Sequence, residues 1–180
     1  MHWNAVAYAM RYPMAPLGGL FVGTVGVFVM LGAVTDRYRI ALLWLGFGAG
    51  IAGLLFGARF QAGLPNPSLL QAGALGLAIA LESVALRKIL PRLRATSQRV
   101  AVAGTLGIVG LHFFIMLPTF GVLIAILALL CTLNAAALWR LDRYPMRLAW
   151  FADGVIKVVV GSMMLTTSPY LQMLLSHRSR

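Results

Sequence analysis

Six apolar runs, each about as long as a bilayer is thick, constrain this chain more than any other feature. They cover 17–35, 40–58, 68–87, 100–117, 119–139 and 148–167. A run of about 20 residues crosses a hydrocarbon core of about 30 Å at about 1.5 Å per residue. Inside lipid the backbone must close its own hydrogen bonds, which for such runs means helices. The expected fold is all-α: a polytopic membrane protein, one six-transmembrane-helix bundle over 1–180. Charge agrees, since only 11% of the residues are charged, where a soluble domain carries about 25%. Arg11 precedes a first run long enough to span and lacking a small-x-small cleavage site, so no cleaved leader is expected.

The breaks carry charges or prolines: Asp36 to Arg39, Arg59 to Pro67, Lys88 to Arg99, Pro118, and Arg140 to Arg147. A single helix over 100–139 would be far too long for the bilayer, so a tight turn is expected at Pro118. Three alternate loops hold ten basic residues: Arg37 and Arg39; Arg87, Lys88, Arg92, Arg94 and Arg99; Arg140, Arg143 and Arg147. The opposite loops hold only Arg59. By the positive-inside rule the ten face the cytoplasm of a plasma membrane, bacterial in character, and both termini lie outside. Arg11, Arg178 and Arg180 in the tails weaken that count without reversing it. The tails, with Trp3, Tyr8 and Tyr12 early and Tyr170 and Leu171 to Leu175 late, read as interfacial segments.

The net charge of +11 would suggest nucleic acid for a soluble protein. Here the basic clusters lie between membrane runs and have no interleaved aromatics, so nucleic acid is set aside. The partners expected are the lipid bilayer itself, with anionic lipids at Arg87, Lys88, Arg92, Arg94 and Arg99, and a second copy or a membrane partner. Cys131 is the one cysteine and reads as a small buried side chain. Glycines at 46, 50, 53 and 57, at 19 and 23, and at 104, 107 and 110 read as packing faces that let helices approach closely. The segment 23–27 is similar to 104–108, which would suit inverted repeats, although five glycine-rich positions also match by chance.

The residues that conflict with lipid are few. Asp153 and Lys157 are four apart, on one face of the last helix. Lys157 is expected ~14 Å into the span and Asp153 ~8 Å. Two such charges cost roughly 5–7 kcal/mol at a helix centre, while the eight Leu, Ile, Phe and Val of that run return roughly 2.4–4.8 kcal/mol. The pair must therefore face the bundle interior. Glu82 and Asn134 are expected at the depth of Asp153, in one polar layer, with Ser68 and Gln71 continuing the stripe of Glu82. His112 lies nearer the other side. Such residues are the candidate substrate or ion site: Glu82, His112, Asn134, Asp153 and Lys157. Met116, Met163 and Met164 could join His112 for copper(I), but nine methionines in the chain make that proximity unremarkable. No metal site and no cofactor is expected. No phosphate loop and no nucleophile–base spacing points to an enzyme.

Gly110-Leu111-His112-Phe113-Phe114 and Asp153-Gly154-Val155-Ile156-Lys157 resemble the Leu-His-Phe and Asp-Gly-x-x-Lys motifs of an uncharacterised family of small bacterial six-helix integral membrane proteins. The resemblance covers most of the chain. It departs at Ile115-Met116, where the family pattern would place a proline; here Pro118 comes later. What it implies is that His112, Asp153 and Lys157 belong together. Two functions follow as expectations: a protein that handles a small solute or ion at the polar site, or a structural or regulatory subunit whose polar layer fixes helix packing.

Overall fold

The computed structural model describes residues 4–35 and 37–178. Trp3, Asp36 and Arg180 lie outside the described residues, as does the side chain of Arg178. Nine α-helices and one 3-10 turn make up the described fold: α1 Ala5–Arg11, α2 Ala15–Val34, α3 Arg39–Phe56, the 3-10 turn Ala58–Gln61, α4 Leu69–Thr96, α5 Gln98–Ile115, α6 Leu117–Phe120, α7 Val122–Arg140, α8 Met146–Leu165 and α9 Pro169–Arg178. Helices α2, α4, α5, α7 and α8 are long and apolar enough to cross a membrane, and the apolar part of α3, Ala41–Phe56, is shorter. The all-α expectation holds, and the five long apolar helices fit a multi-pass membrane protein.

Local chemistry sets the ends. Asn4 caps α1 by accepting from the Ala7 N–H at 3.0 Å. Ser68 and Gln71 form a capping box at the start of α4, each side chain satisfying a backbone donor that the first turn leaves free. The break expected from Lys88 to Arg99 is instead helix as far as Thr96. Charge ends an apolar run without ending a helix. Pro91 sits inside α4, where its ring removes one backbone donor. The chain leaves α4 only at Ser97, whose extended backbone (φ −166°) and side-chain oxygen, accepting from Val100 N at 3.1 Å, start α5 at once. The reversal expected at Pro118 falls three residues later. Pro118 lies in the first turn of α6, and Gly121, at φ +72°, turns the chain into α7 in a conformation open to glycine.

The long helices pack in the order α3, α2, α8, α7, α5, α4, each mainly against its neighbours in that row. The tightest contact is α2 on α8. A Cβ on Gly161 would lie 2.5 Å from Gly23 N and 2.7 Å from Gly19 O, and one on Gly26 would lie 2.8 Å from Gly154 O. These backbones touch, as small-residue faces allow. The glycines of α3 receive α2 side chains instead: Phe28 at Gly46, Phe21 at Gly50 and Leu20 at Gly57. Two apolar clusters fill the bundle. One gathers Val22, Phe113, Phe120, Leu127 and Met164; the other gathers Val29, Leu106, Leu138 and Trp150.

One end collects α1, the 3-10 turn, the start of α4, α6 and the start of α9. Gln71 Nε2 donates to Arg11 O at 3.0 Å, Thr119 Oγ1 to Gln71 O at 2.6 Å, Gln61 Nε2 to Pro13 O at 3.2 Å and Ser168 Oγ to Phe60 O at 2.8 Å. The Tyr8 hydroxyl donates to Phe120 O and accepts from Leu123 N. The other end is the basic one. Arg99 donates to the Tyr144 and Leu141 carbonyls there, and Arg39 Nε to Gly32 O at 3.1 Å.

Candidate functional site

Asp153 and Lys157 lie between the two apolar clusters, one turn apart on α8, and form an ion pair with both side chains almost fully buried. Helical i, i+4 spacing brings the two heads together. The close approach of α2, through Gly26 and Gly154, covers the stems: a Cβ on Gly26 would lie 2.8 Å from Lys157 Cβ. Lys157 Nζ also reaches the Cys131 sulfur on α7 at 3.8 Å. Asp153 Oδ1 accepts no hydrogen bond among the described residues. Buried carboxylate oxygens are ordinarily satisfied, so this one is a place where the fold leaves acceptor capacity open.

Glu82 and His112 form the second pair. His112 Nε2 lies 3.4 Å from Glu82 Oε2, with the histidine buried and the Glu82 side chain 24% exposed. His112 Nδ1 faces the Val109 carbonyl one turn back on α5. A carbonyl can only accept, so that nitrogen carries a proton and Nε2 is the one turned to the carboxyl group. The ring lies against that of Phe113, tilted by 37° with centroids 4.2 Å apart. Helix α5 also meets α8 directly, the helix that carries Asp153 and Lys157. Four ionisable side chains from α4, α5 and α8, with the Cys131 thiol of α7 beside Lys157, thus form two pairs.

Of the five expected residues the structure pairs Glu82 with His112 and Asp153 with Lys157, and gives Asn134 partners of its own. Asn134 Nδ2 donates to the Ala149 carbonyl at 2.8 Å, and its oxygen accepts from the Tyr144 hydroxyl at 2.7 Å. These bonds tie α7 to the first turn of α8 and engage both ends of the amide. Helix α4 continues to Thr96, so Glu82 stands at the middle of its helix and has His112 as its partner. Ser68 and Gln71 do not extend the stripe inward; they cap α4 and hold Arg11.

Sequence reasoning passed over Cys131. Depth would have found it, because Cys131 is the central residue of α7 and Lys157 lies one to two residues from the centre of α8. Among the described residues no group of three or more His, Cys, Asp and Glu is placed to hold a metal ion. Two crevices accompany the bundle, one between α2 and α8 and one between α4, α5 and α7, and none of the four ionisable residues lines either.

No curated protein and no solved structure is detectably similar to the chain. A family described only as a family of unknown function, DUF6609, matches residues 6–173. That span takes in both pairs and all the long helices, and it agrees with the expected likeness to an uncharacterised family. The chain belongs to DUF6609, a family of unknown function.

Proposed function

We propose that the chain is a plasma-membrane protein that handles a small ion, in the first place the proton, through the Glu82–His112 and Asp153–Lys157 pairs. The observation that carries this reading is the 3.4 Å approach of His112 on α5 to Glu82 on α4. A carboxyl and an imidazole at that distance can hold one proton on either partner without changing the net charge of the pair. Exchange between them therefore avoids the electrostatic cost of moving a lone charge through a medium of low dielectric.

The test is reconstitution into liposomes that enclose a pH-sensitive dye, under an imposed membrane potential, with and without sodium, potassium, chloride and ammonium. Proton movement that depends on the protein and disappears in Glu82→Gln and His112→Asn is the expected result. Proton movement that is absent under every condition, or unchanged in both variants, would remove the pairs from any transport role. Orientation is tested with the same material: reporters fused to either terminus should be read on the outer face, since the ten basic residues favour the cytoplasm for the opposite end.

A structural or regulatory subunit is the second reading. Asp153 and Lys157 neutralise each other within one helix at the closest interface of the bundle, which favours a role in fixing how α8 sits. In that case replacing both residues by apolar ones should leave partner association intact.

A further inference from the structure

The ten cations at the basic end face little opposite charge: Asp142 is the one acid there among the described residues. Some of the ten are used by the fold, Arg99 on two carbonyls and Arg39 on Gly32 O and the face of Trp150. Others are not. Lys88, Arg92 and Arg140 are exposed and make no ion pair among the described residues. Lys88 and Arg92 lie one turn apart on α4, and Arg140 ends α7.

The position of α4 explains why charge gathers at this point. Its 28 residues extend about 42 Å, against a hydrocarbon core of about 30 Å. The excess lies at the basic end, from Lys88 to Thr96, beyond the apolar run 68–87. It is docked there: the Leu93 side chain fills the notch left by Gly104 of α5, where a Cβ would come within 2.1 Å of Leu93 Cδ1. Below that contact an open crevice of about 360 Å³ runs between α4, α5 and α7, lined by Ile89, Leu93, Gly107, Leu111, Ala136 and Trp139 among others. No charged side chain lines it, and its size falls within the range of small-molecule sites, roughly 300–1,000 Å³. Lys88 and Arg92 flank Ile89 and Leu93 on α4, and Arg140 lies one turn beyond Ala136 on α7.

We propose that this crevice binds one anionic phospholipid, with an acyl chain along the α4–α5–α7 crevice and the phosphodiester held by Lys88, Arg92 and Arg140. The chemistry selects that occupant. The crevice offers apolar contact and the rim offers unpaired cations, so the ligand must carry a long apolar chain and a negative head. A zwitterionic lipid brings the same phosphodiester but pairs it with its own cation, which the rim cations repel, so it gains less from the rim. A soluble phosphate would satisfy the rim and leave the crevice empty. The site is separate from the Glu82–His112 pair, so it stands or falls independently of any ion transport.

Trp139 supplies the readout. The full-length protein is purified in detergent and titrated with phosphatidylglycerol or phosphatidylcholine brominated on the acyl chains, which quench a neighbouring indole. Subtracting the same titration of Trp139→Phe isolates that residue. The expected result is saturable quenching by the phosphatidylglycerol, approaching one lipid per chain, and at least tenfold weaker binding of the phosphatidylcholine. Removing all three rim charges (Lys88→Gln, Arg92→Gln, Arg140→Gln) should weaken binding about a hundredfold, near fivefold for each side chain. Gly107→Leu should abolish saturation with the rim intact. A Cβ at position 107 meets only Ala135 Cβ, at 3.7 Å, so the larger side chain has room and fills the crevice. Ala136→Phe, at an exposed position of α7, repeats the test if Gly107→Leu does not fold. Glycerol phosphate, which has the head without the chains, should not compete. Equal quenching by both lipids, an undiminished preference in the filled variants, or competition by glycerol phosphate would each overturn the proposal.

Discussion

Helices α8 and α4 both carry an acid in an apolar run, yet they are held in opposite ways. Helix α8 is locked. Its glycines meet the glycines of α2 with backbones in contact, and Asp153 and Lys157 are covered by that contact and paired within the helix. Helix α4 lies at the edge of the row. Ala78 is its one fully buried residue among those described, and discrete points attach it: the Glu82–His112 contact, Thr119 and Arg11 on Gln71, and Leu93 in the notch of Gly104. The locked helix presents a fixed charge pair; the loosely attached helix presents a carboxyl group to it. Where little surface is buried, opening requires less free energy, so any motion that exposes the pairs belongs to α4.

The contrast breaks most decisively at the glycines. Gly161→Val places a Cβ 2.5 Å from Gly23 N and 2.7 Å from Gly19 O, backbone atoms that cannot rotate away. We expect a loss above the roughly 1–3 kcal/mol usual for overpacking, read as failure to recover folded protein or a large drop in Tm in detergent. Gly73→Ala on α4 is the control. Its Cβ meets nothing within 4 Å, so Tm should hold or rise slightly. Equal damage from both would show that α4 is packed in the membrane by something the isolated chain lacks.

The charge pairs give the next effect in size. Asp153→Ala leaves Lys157 buried without a counter-charge and should cost about 3–5 kcal/mol. The double variant Asp153→Leu, Lys157→Met should recover most of that loss, because two apolar side chains need no pairing. Thermal melts of the three proteins decide it. If the double variant is as damaged as the single one, the pair is doing more than neutralising itself inside α8.

How much of this was legible in the sequence follows the same divide. The apolar runs name the long helices because lipid permits no other backbone, and the i, i+4 spacing of Asp153 and Lys157 places that pair within α8. Partners on different helices were legible only as well as helix ends were. Charge at Lys88 suggests the end of a helix that runs on to Thr96, so Glu82 is expected near one end of α4 and is found at its middle, against His112. Depth alone makes Asn134 a candidate site residue, level with Asp153; no sequence rule says that Tyr144 and the Ala149 carbonyl satisfy its amide. The crevice between α4, α5 and α7 depends on how three helices diverge, which no single run encodes.

Glu82→Gln tests the loose side directly. The amide keeps the shape and a hydrogen-bonding group opposite His112, so stability should fall by only about 0.6 kcal/mol, the average for polar contacts between membrane helices, and by no more than about 1.7 kcal/mol. Proton movement, if the pairs carry it, should disappear in the same variant. A large stability loss with transport intact would reverse the assignment of roles between α4 and α8.

An effect of similarly small size is expected at the end where α1 covers α6. Burial pushes the Tyr8 phenol up to about 12, since a phenolate there would face the Phe120 carbonyl oxygen with little water. The folded state thus favours the neutral phenol, and this contribution to stability is complete below the ordinary tyrosine value near 10. It is lost as pH rises from there through about 12. Tyr8→Phe keeps the ring against Tyr12 but removes the hydroxyl that bridges Phe120 and Leu123, a loss of about 1 kcal/mol at neutral pH. Melting curves at pH 8 and pH 11 check both statements. The wild-type protein should lose more of its Tm on going to pH 11 than the variant does, because the variant has no proton to release at that position. Equal losses would mean that α1 is already detached in alkali, and that the cap over α6 is held by Gln71 and Arg11 rather than by Tyr8.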